Sequence, residues 1–256
     1  MKPGTVYLVG AGPGAPDLLT LRAARLLADA DIVFHDALVH SETLALATRA
    51  EKIAVGKRCG KHSTAQRFIN KRLADAARRY RVVVRLKGGD PMLFGRAHEE
   101  IAFLKANSIP VEIVPGITAA LAASAELGVS LTRRGLSRSV TFVTPRVGAG
   151  EAESNWARAA SAADTAAIYM GAGEGPEIAA ALIAAGKSRS TPVAIVESAS
   201  LDEVKIFHGT LERLPRLSGG PVLILVGEVY RHAQEDSERA VDVAGDPRDV
   251  MKTGFG

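Results

Sequence analysis

Short apolar runs rich in β-branched residues alternate with segments of helical period along almost the whole chain. No other feature constrains the fold as tightly. Val6-Tyr7-Leu8-Val9, Ile32-Val33-Phe34, Ile53-Ala54-Val55, Val82-Val83-Val84 and Val111-Glu112-Ile113-Val114 read as five strands. Between them, Leu18 to Ala28, Ala65 to Arg79 and Ala97 to Ala106 carry apolar positions at helical spacing. Strands that are apolar throughout leave no face for water, so the pattern predicts a mainly parallel sheet covered by helices on both sides. The fold class is α/β.

The pattern changes after an Ala-rich helix expected over Ile117 to Leu127. Gly128 to Arg138 is polar, glycine-bearing and basic, as a crossing between domains would be. Strand-like runs then resume at Val140–Val143, Ala166–Tyr169, Val193–Val196 and Val222–Val226. Val204-Lys205-Ile206-Phe207 alternates as a half-exposed strand does, which predicts antiparallel pairing and a mixed sheet in this half. The expected organisation is an N-terminal α/β domain over residues 1–134 and a C-terminal mixed α/β domain over 135–232. Residues 233–256 are polar and aperiodic and read as a disordered tail. No internal repeat is visible.

Composition narrows the function classes. A chain of 256 residues, 47% of them hydrophobic, is long enough for two modest cores. Lys and Arg number 32 against 28 Asp and Glu, a net charge of +4 that is too mild to indicate nucleic acid. Aromatic residues at 5% are too few for base stacking along a single strand. The one cysteine, Cys59, cannot form an intramolecular disulfide and fits a reducing compartment. The N-terminal sequence shows neither a secretory signal nor a membrane span. A cytoplasmic protein with no nucleic-acid or membrane partner is expected.

Four loops carry the chemistry. Gly10-Ala11-Gly12-Pro13-Gly14 follows the first strand and precedes a helix, where glycines permit positive φ and close approach of a ligand. The same placement would suit a dinucleotide, with Asp36 after the second strand binding a ribose. Pro13 argues against that, since it removes an N–H donor where a pyrophosphate needs one. Leu86-Lys87-Gly88-Gly89-Asp90-Pro91 ends another apolar strand, baring backbone beside a carboxylate acceptor. Ligands of parallel sheets bind beyond the carboxyl ends of strands, where both loops fall. Val55 to His62 (VGKRCGKH) is a short cationic segment between glycines. Val114-Pro115-Gly116-Ile117-Thr118-Ala119-Ala120 offers a hydroxyl at a helix start.

Taken in this order and at these separations, GAGPG, VGKRCGKH, RLKGGDPMLFGR and VPGITAA resemble the tetrapyrrole methylases. GKRxGxH and the RLKGGDP context resemble the uroporphyrinogen-III C-methyltransferase branch in particular. Ile168-Tyr169-Met170-Gly171, Pro192 to Glu197 and Pro221 to Glu228 continue the match, which runs from about Thr5 to Arg231.

The resemblance implies two α/β domains with S-adenosylmethionine in a cleft between them, bound in a non-Rossmann manner without a metal, and a homodimer. Pro13, Gly88, Gly89, Asp90, Leu93, Thr118, Ala119, Met170 and Ala199 are the implied cofactor residues, S-adenosylhomocysteine being the product. Asp36 is the implied proton acceptor and Lys57 the donor. The implied substrate, uroporphyrinogen III, carries eight carboxylates, which gives the basic clusters a purpose. Arg58, Lys61, Arg133, Arg134 and Arg146, with Lys57 and Arg138, are candidates to pair with them. Methylation at C-2 and C-7 would then give precorrin-2 through precorrin-1, for cobalamin or sirohaem. Arg133 and Arg146 stand where the family commonly has histidine, Met92 where it has Phe, and Ser198-Ala199 where it has an Asn-Gly-type pair. Three alternatives stay open: a later precorrin or cobalt-precorrin methyltransferase, a non-catalytic cofactor-binding protein, and an NAD-binding Rossmann enzyme.

Overall fold

The computed structural model describes residues 2–55, 66–148, 152, 154–217 and 220–231. The segment 233–256 expected to be a tail lies outside them. The chain divides into two compact units. One runs to Ala122 and takes in Ser200–Asp202; the other comprises Ala123–Ala199 and the chain from Glu203 onward.

The first unit holds five strands: β1 (Thr5–Gly10), β2 (Ile32–His35), β3 (Glu51–Ala54), β4 (Val82–Lys87) and β5 (Val111–Val114). They form one sheet in the order β3-β2-β4-β1-β5, parallel throughout. The connections are α1 (Leu21–Asp29), α2 (Ser41–Ala45), α3 (Gln66–Ala77) and α4 (Ala97–Ala106), with α5 (Ala119–Leu127) following β5. Side chains alternate across the sheet as the pleat requires. Val6, Leu8, Ile32, Phe34 and Val83 pack with Ile69 and Leu73 of α3 and Leu104 of α4. Val9, Val33, Val84, Leu86 and Val114 turn the other way and pack with Ala23 and Leu27 of α1. The helix expected from Leu18 begins at Leu21, because the Thr20 hydroxyl accepts the Ala23 N–H at 3.1 Å and caps it there.

The second unit builds its sheet from β6 (Val140–Val143), β7 (Thr165–Tyr169), β8 (Pro192–Glu197), β9 (Lys205–Thr210) and β10 (Val222–Gly227), in the order β6-β7-β10-β8-β9. Only β6 and β7 are parallel; every other pairing is antiparallel, including that of the alternating 204–207 segment with β8. The expected mixed sheet is therefore present. Helices α6 (Trp156–Ala162) and α7 (Gly175–Ala184) cover one face through Ala160, Ile178 and Leu182. Among the described residues no helix is long and apolar enough to cross a membrane.

Candidate active site

All five strands of the first sheet run the same way, so the loops after β1, β2, β4 and β5 gather at one edge. There they touch backbone to backbone. Ala11 donates its N–H to the Lys87 carbonyl at 2.7 Å, and Gly12 and Gly89 exchange N–H···O bonds of 3.3 and 2.7 Å. Both of these glycines are left-handed, at φ +73° and +66°, a region that side chains rarely enter. A Cβ on Gly10 would lie 2.6 Å from the Cα of Gly116 and 2.7 Å from the carbonyl oxygen of Gly89. Only hydrogen fits at that position.

Asp90 fastens the same junction. Its Oδ1 accepts the Met92 N–H at 2.8 Å and its Oδ2 accepts the Gly116 N–H at 2.9 Å, tying the GGDP loop to the loop after β5. Leu93, half-buried, donates its N–H to the Asp90 carbonyl at 3.3 Å. Thr118 is buried and its carbonyl accepts from Leu121 and Ala122, opening α5 with Ala119 as the first helical residue. Pro13 is half-buried in the first loop. The Ala15 N–H donates to the Ser200 hydroxyl at 3.0 Å, and a Cβ on Gly14 would sit 2.8 Å from the Leu201 side chain. Pro13, Gly88, Gly89, Asp90, Leu93, Thr118 and Ala119 thus share one edge of one unit.

Met170 and Ala199 belong to the second unit. Strands β7 and β8 both pair antiparallel with β10, so they run in the same direction and end together. Tyr169 and Val196 both face Leu223. Met170 follows β7 at φ +60° with 44% of its surface exposed, which is not how a core methionine sits. Ala199 is buried just beyond β8, between Ser198 at φ +54° and Ser200 at φ +70°. Non-glycine residues in this region carry backbone strain, which is retained where the structure needs a particular local geometry.

Asp36 follows β2. Its Oδ1 accepts from Arg85 Nη2 at 2.5 Å, and 28% of its side chain is exposed. Arg85 continues inward to a cluster that the motifs did not reveal. Its Nε donates to Glu100 of α4 at 3.1 Å, and Lys87 Nζ donates to both Glu100 oxygens at 3.3 and 3.2 Å. Arg85 and Lys87 lie two residues apart on β4, hence on one face, the face that α4 covers. Burial pushes the Lys87 ammonium below the usual lysine range and the Arg85 charge pushes it further, while Glu100 opposes both.

Arg133, Arg134 and Arg146 are exposed, and no ion pair engages them among the described residues. The first two lie in a tight turn in which Ser137 and Leu136 donate N–H groups to the Arg133 carbonyl. Lys57, Arg58 and Lys61 lie outside the described residues.

Two α/β units, each offering loops at its strand ends, define the class. A model of the family Tetrapyrrole (Corrin/Porphyrin) Methylases matches residues 5–215, and the chain belongs to this family. Among solved structures it is similar to uroporphyrin-III C-methyltransferase from Thermus thermophilus, complexed with S-adenosylhomocysteine. The identity is 41% and the TM-score 0.80, over 90% of this chain and 100% of that one. It is 29% identical to a cobalamin biosynthetic enzyme, cobalt precorrin-4 methyltransferase, with a TM-score of 0.76 over 88% of this chain and 95% of that one. It is also 47% identical over 234 residues to a sirohaem synthase of Pseudomonas putida, covering 89% of this chain and 50% of that protein. The chain spans about half the length of the curated relatives it matches.

Proposed function

We propose that this chain transfers methyl groups from S-adenosylmethionine to C-2 and C-7 of uroporphyrinogen III, giving precorrin-2 by way of precorrin-1. The observation that carries the reading is the junction of four glycines from three strand-end loops, joined to similarity over 90% of this chain with a methyltransferase solved with the demethylated cofactor.

The residues present fit that cofactor. Gly89 has open space where a side chain would stand, its nearest neighbour being the Thr118 Cα at 4.0 Å, and Gly88 meets only the Leu38 side chain. A nucleoside and an amino-acid tail need such bare backbone, with apolar groups such as Leu93 and Ala119 beside it. We assign Pro13, Gly88, Gly89, Asp90, Leu93, Thr118 and Ala119 to cofactor binding on this basis, and Met170 and Ala199 by family resemblance.

When bound, S-adenosylmethionine supplies a sulfonium methyl: a ring carbon takes it with a π pair, the carbon–sulfur pair stays on sulfur, and the macrocycle then loses one proton. Asp36 is the carboxylate we assign to that proton, since its Oδ2 accepts no bond among the described residues. Lys57 is the donor by family resemblance. Arg133, Arg134 and Arg146, exposed and unpaired with any described carboxylate, are free to pair with substrate carboxylates, as are Arg58 and Lys61 by resemblance. Positioning and exclusion of water supply most of what the protein must add, because both reacting groups are activated already. Resemblance likewise supports a cytoplasmic homodimer, which sedimentation of the purified chain tests.

The test uses purified protein, methyl-labelled cofactor and uroporphyrinogen III. Two labels per macrocycle and two equivalents of S-adenosylhomocysteine are expected. Label transfer only to a precorrin already methylated would instead place the chain later in corrin synthesis. Tight NAD binding without S-adenosylhomocysteine binding would overturn the cofactor.

A further inference from the structure

We propose that Arg85 is the positioning residue for the proton-accepting carboxylate, its guanidinium being held by Glu100, which Lys87 fixes in turn, so that it presents Asp36 in one orientation. The inference rests on the reading of Asp36 given above.

Arg85 is 2% exposed and stands on β4, the middle strand of the sheet. Its planar fork is used on three sides. Nε meets Glu100 Oε1 at 3.1 Å, Nη1 meets the Leu86 carbonyl at 3.2 Å, and Nη2 meets Asp36 Oδ1 at 2.5 Å. Glu100 is fully buried and is fixed in turn by Lys87 on both oxygens and by Gln66 Nε2 at 3.1 Å. Two carboxylates and two cations therefore balance in a chain that reaches the sheet edge only at Asp36. A guanidinium with three fixed donors cannot swing, so the carboxylate it holds cannot swing either.

Stability does not account for the cluster. Buried ion pairs of this kind are commonly no better than apolar residues of the same volume, because desolvation offsets the attraction. A group of four charges beneath the catalytic edge makes sense as a fixed mount. The same strand then carries Gly88 and Gly89 directly beyond Lys87, whose carbonyl also holds Ala11. One rigid segment sets both the carboxylate and the glycine floor.

The experiment compares wild type, Arg85→Lys, Asp36→Asn and the two combined, in the full chain, using kcat and KM for methyl transfer. Calorimetry with S-adenosylhomocysteine and thermal unfolding serve as independent readouts. Lysine keeps the charge but cannot hold Glu100 and Asp36 together. Arg85→Lys is expected to lower kcat on the order of 10²-fold, as a misplaced catalytic group does, with S-adenosylhomocysteine affinity within about twofold of wild type. In the Asp36→Asn background the same change is expected to cost nothing further, since Arg85 acts through Asp36. Should Arg85→Lys unfold, Arg85→Met leaves the buried Lys87–Glu100 pair intact and carries the same comparison. Full turnover by Arg85→Lys, or an equal loss in both backgrounds, would overturn the proposal. Wild-type turnover by Asp36→Asn alone would overturn the reading of Asp36 instead.

Discussion

Replacing Gly10 by alanine adds a single methyl group at the point where three strand-end loops meet. The backbone at Gly10 is not left-handed, so the substitution tests space alone. The new Cβ would fall 2.6 Å from both the Cα and the N of Gly116 and 2.7 Å from the Gly89 oxygen. Real Cβ contacts stop near 3.0 Å, so the two loops must retreat by about 0.4 Å, and neither has a flexible side chain to give way. Overpacking of this kind costs about 1–3 kcal/mol. The retreat also separates Gly89 from Gly12 and strains the bond from Gly116 to Asp90, the junction assigned to the cofactor. About a tenfold loss of S-adenosylhomocysteine affinity is expected, or roughly 1.4 kcal/mol. Denaturant unfolding reads the first effect and titration calorimetry the second. Gly173→Ala is the control: a Cβ there meets nothing within 4 Å, and its effect should stay within about 0.5 kcal/mol. Gly10→Ala with the stability and affinity of the control would refute the close packing of the loops.

Leu104, fully buried one helical turn beyond Glu100, holds α4 against the first sheet; Leu104→Ala should cost about 2–5 kcal/mol by denaturant unfolding. His208 on β9 is held below its ordinary value of 6.5 by burial, and its Nδ1 is buried without a partner among the described residues. The unfolded chain therefore takes up a proton before the folded one does. Stability should fall as pH drops below 6.5 and level off below the folded-state value, and His208→Gln should flatten that part of the pH–stability curve. Arg146→Ala and Arg134→Ala should each raise KM for the carboxylate-rich substrate about fivefold, equivalent to roughly 1 kcal/mol. Rising salt should shrink the difference, and S-adenosylhomocysteine affinity should not change.

Most of the strands are legible because they are apolar runs, and apolar runs bounded by glycine or proline have few other uses; β9 is legible instead by its alternation, and β3 only by its Ile53-Ala54 end. What could not be read is which strand is central. Val82-Val83-Val84 ends, as a pattern, at Arg85, yet β4 continues to Lys87 and both cations are buried there. A buried charge is indistinguishable in sequence from a solvated one until its partner is known, and Glu100 lies on a helix packed across the sheet. The Gly-Gly-Asp-Pro turn is legible as a ligand loop, but the use of its carboxylate is not. Both Asp90 oxygens bind backbone amides, one of them 26 residues away in the next loop. The glycines divide in a way that the motif alone does not disclose. Gly12 supplies the left-handed turn, whereas Gly10 supplies close approach, and what approaches it is the chain's own backbone.

That division bears on how such a site can vary. The floor is built from atoms that every residue possesses, N–H, C=O and Cα, and depends on the absence of side chains at Gly10, Gly12, Gly89 and Gly116. It can tolerate little change, because any added carbon collides or forces φ into a disfavoured region. The cations at Arg133, Arg134 and Arg146 are exposed and contact no described carboxylate, so substitution there leaves the packing intact. Histidine and arginine can replace one another at such positions without disturbing either sheet. Arginine differs in keeping its charge at every pH the protein meets and in offering a planar fork to a carboxylate. A chain with arginine at 133 and 146 should therefore hold the proposed carboxylate-rich substrate without the loss of affinity above pH 6.5 that neutral histidines would bring. Measuring KM for uroporphyrinogen III from pH 6 to pH 8.5 in wild type and in Arg133→His/Arg146→His tests this. The wild-type value should be the flatter of the two, and parallel curves would refute a role for these arginines in binding carboxylates.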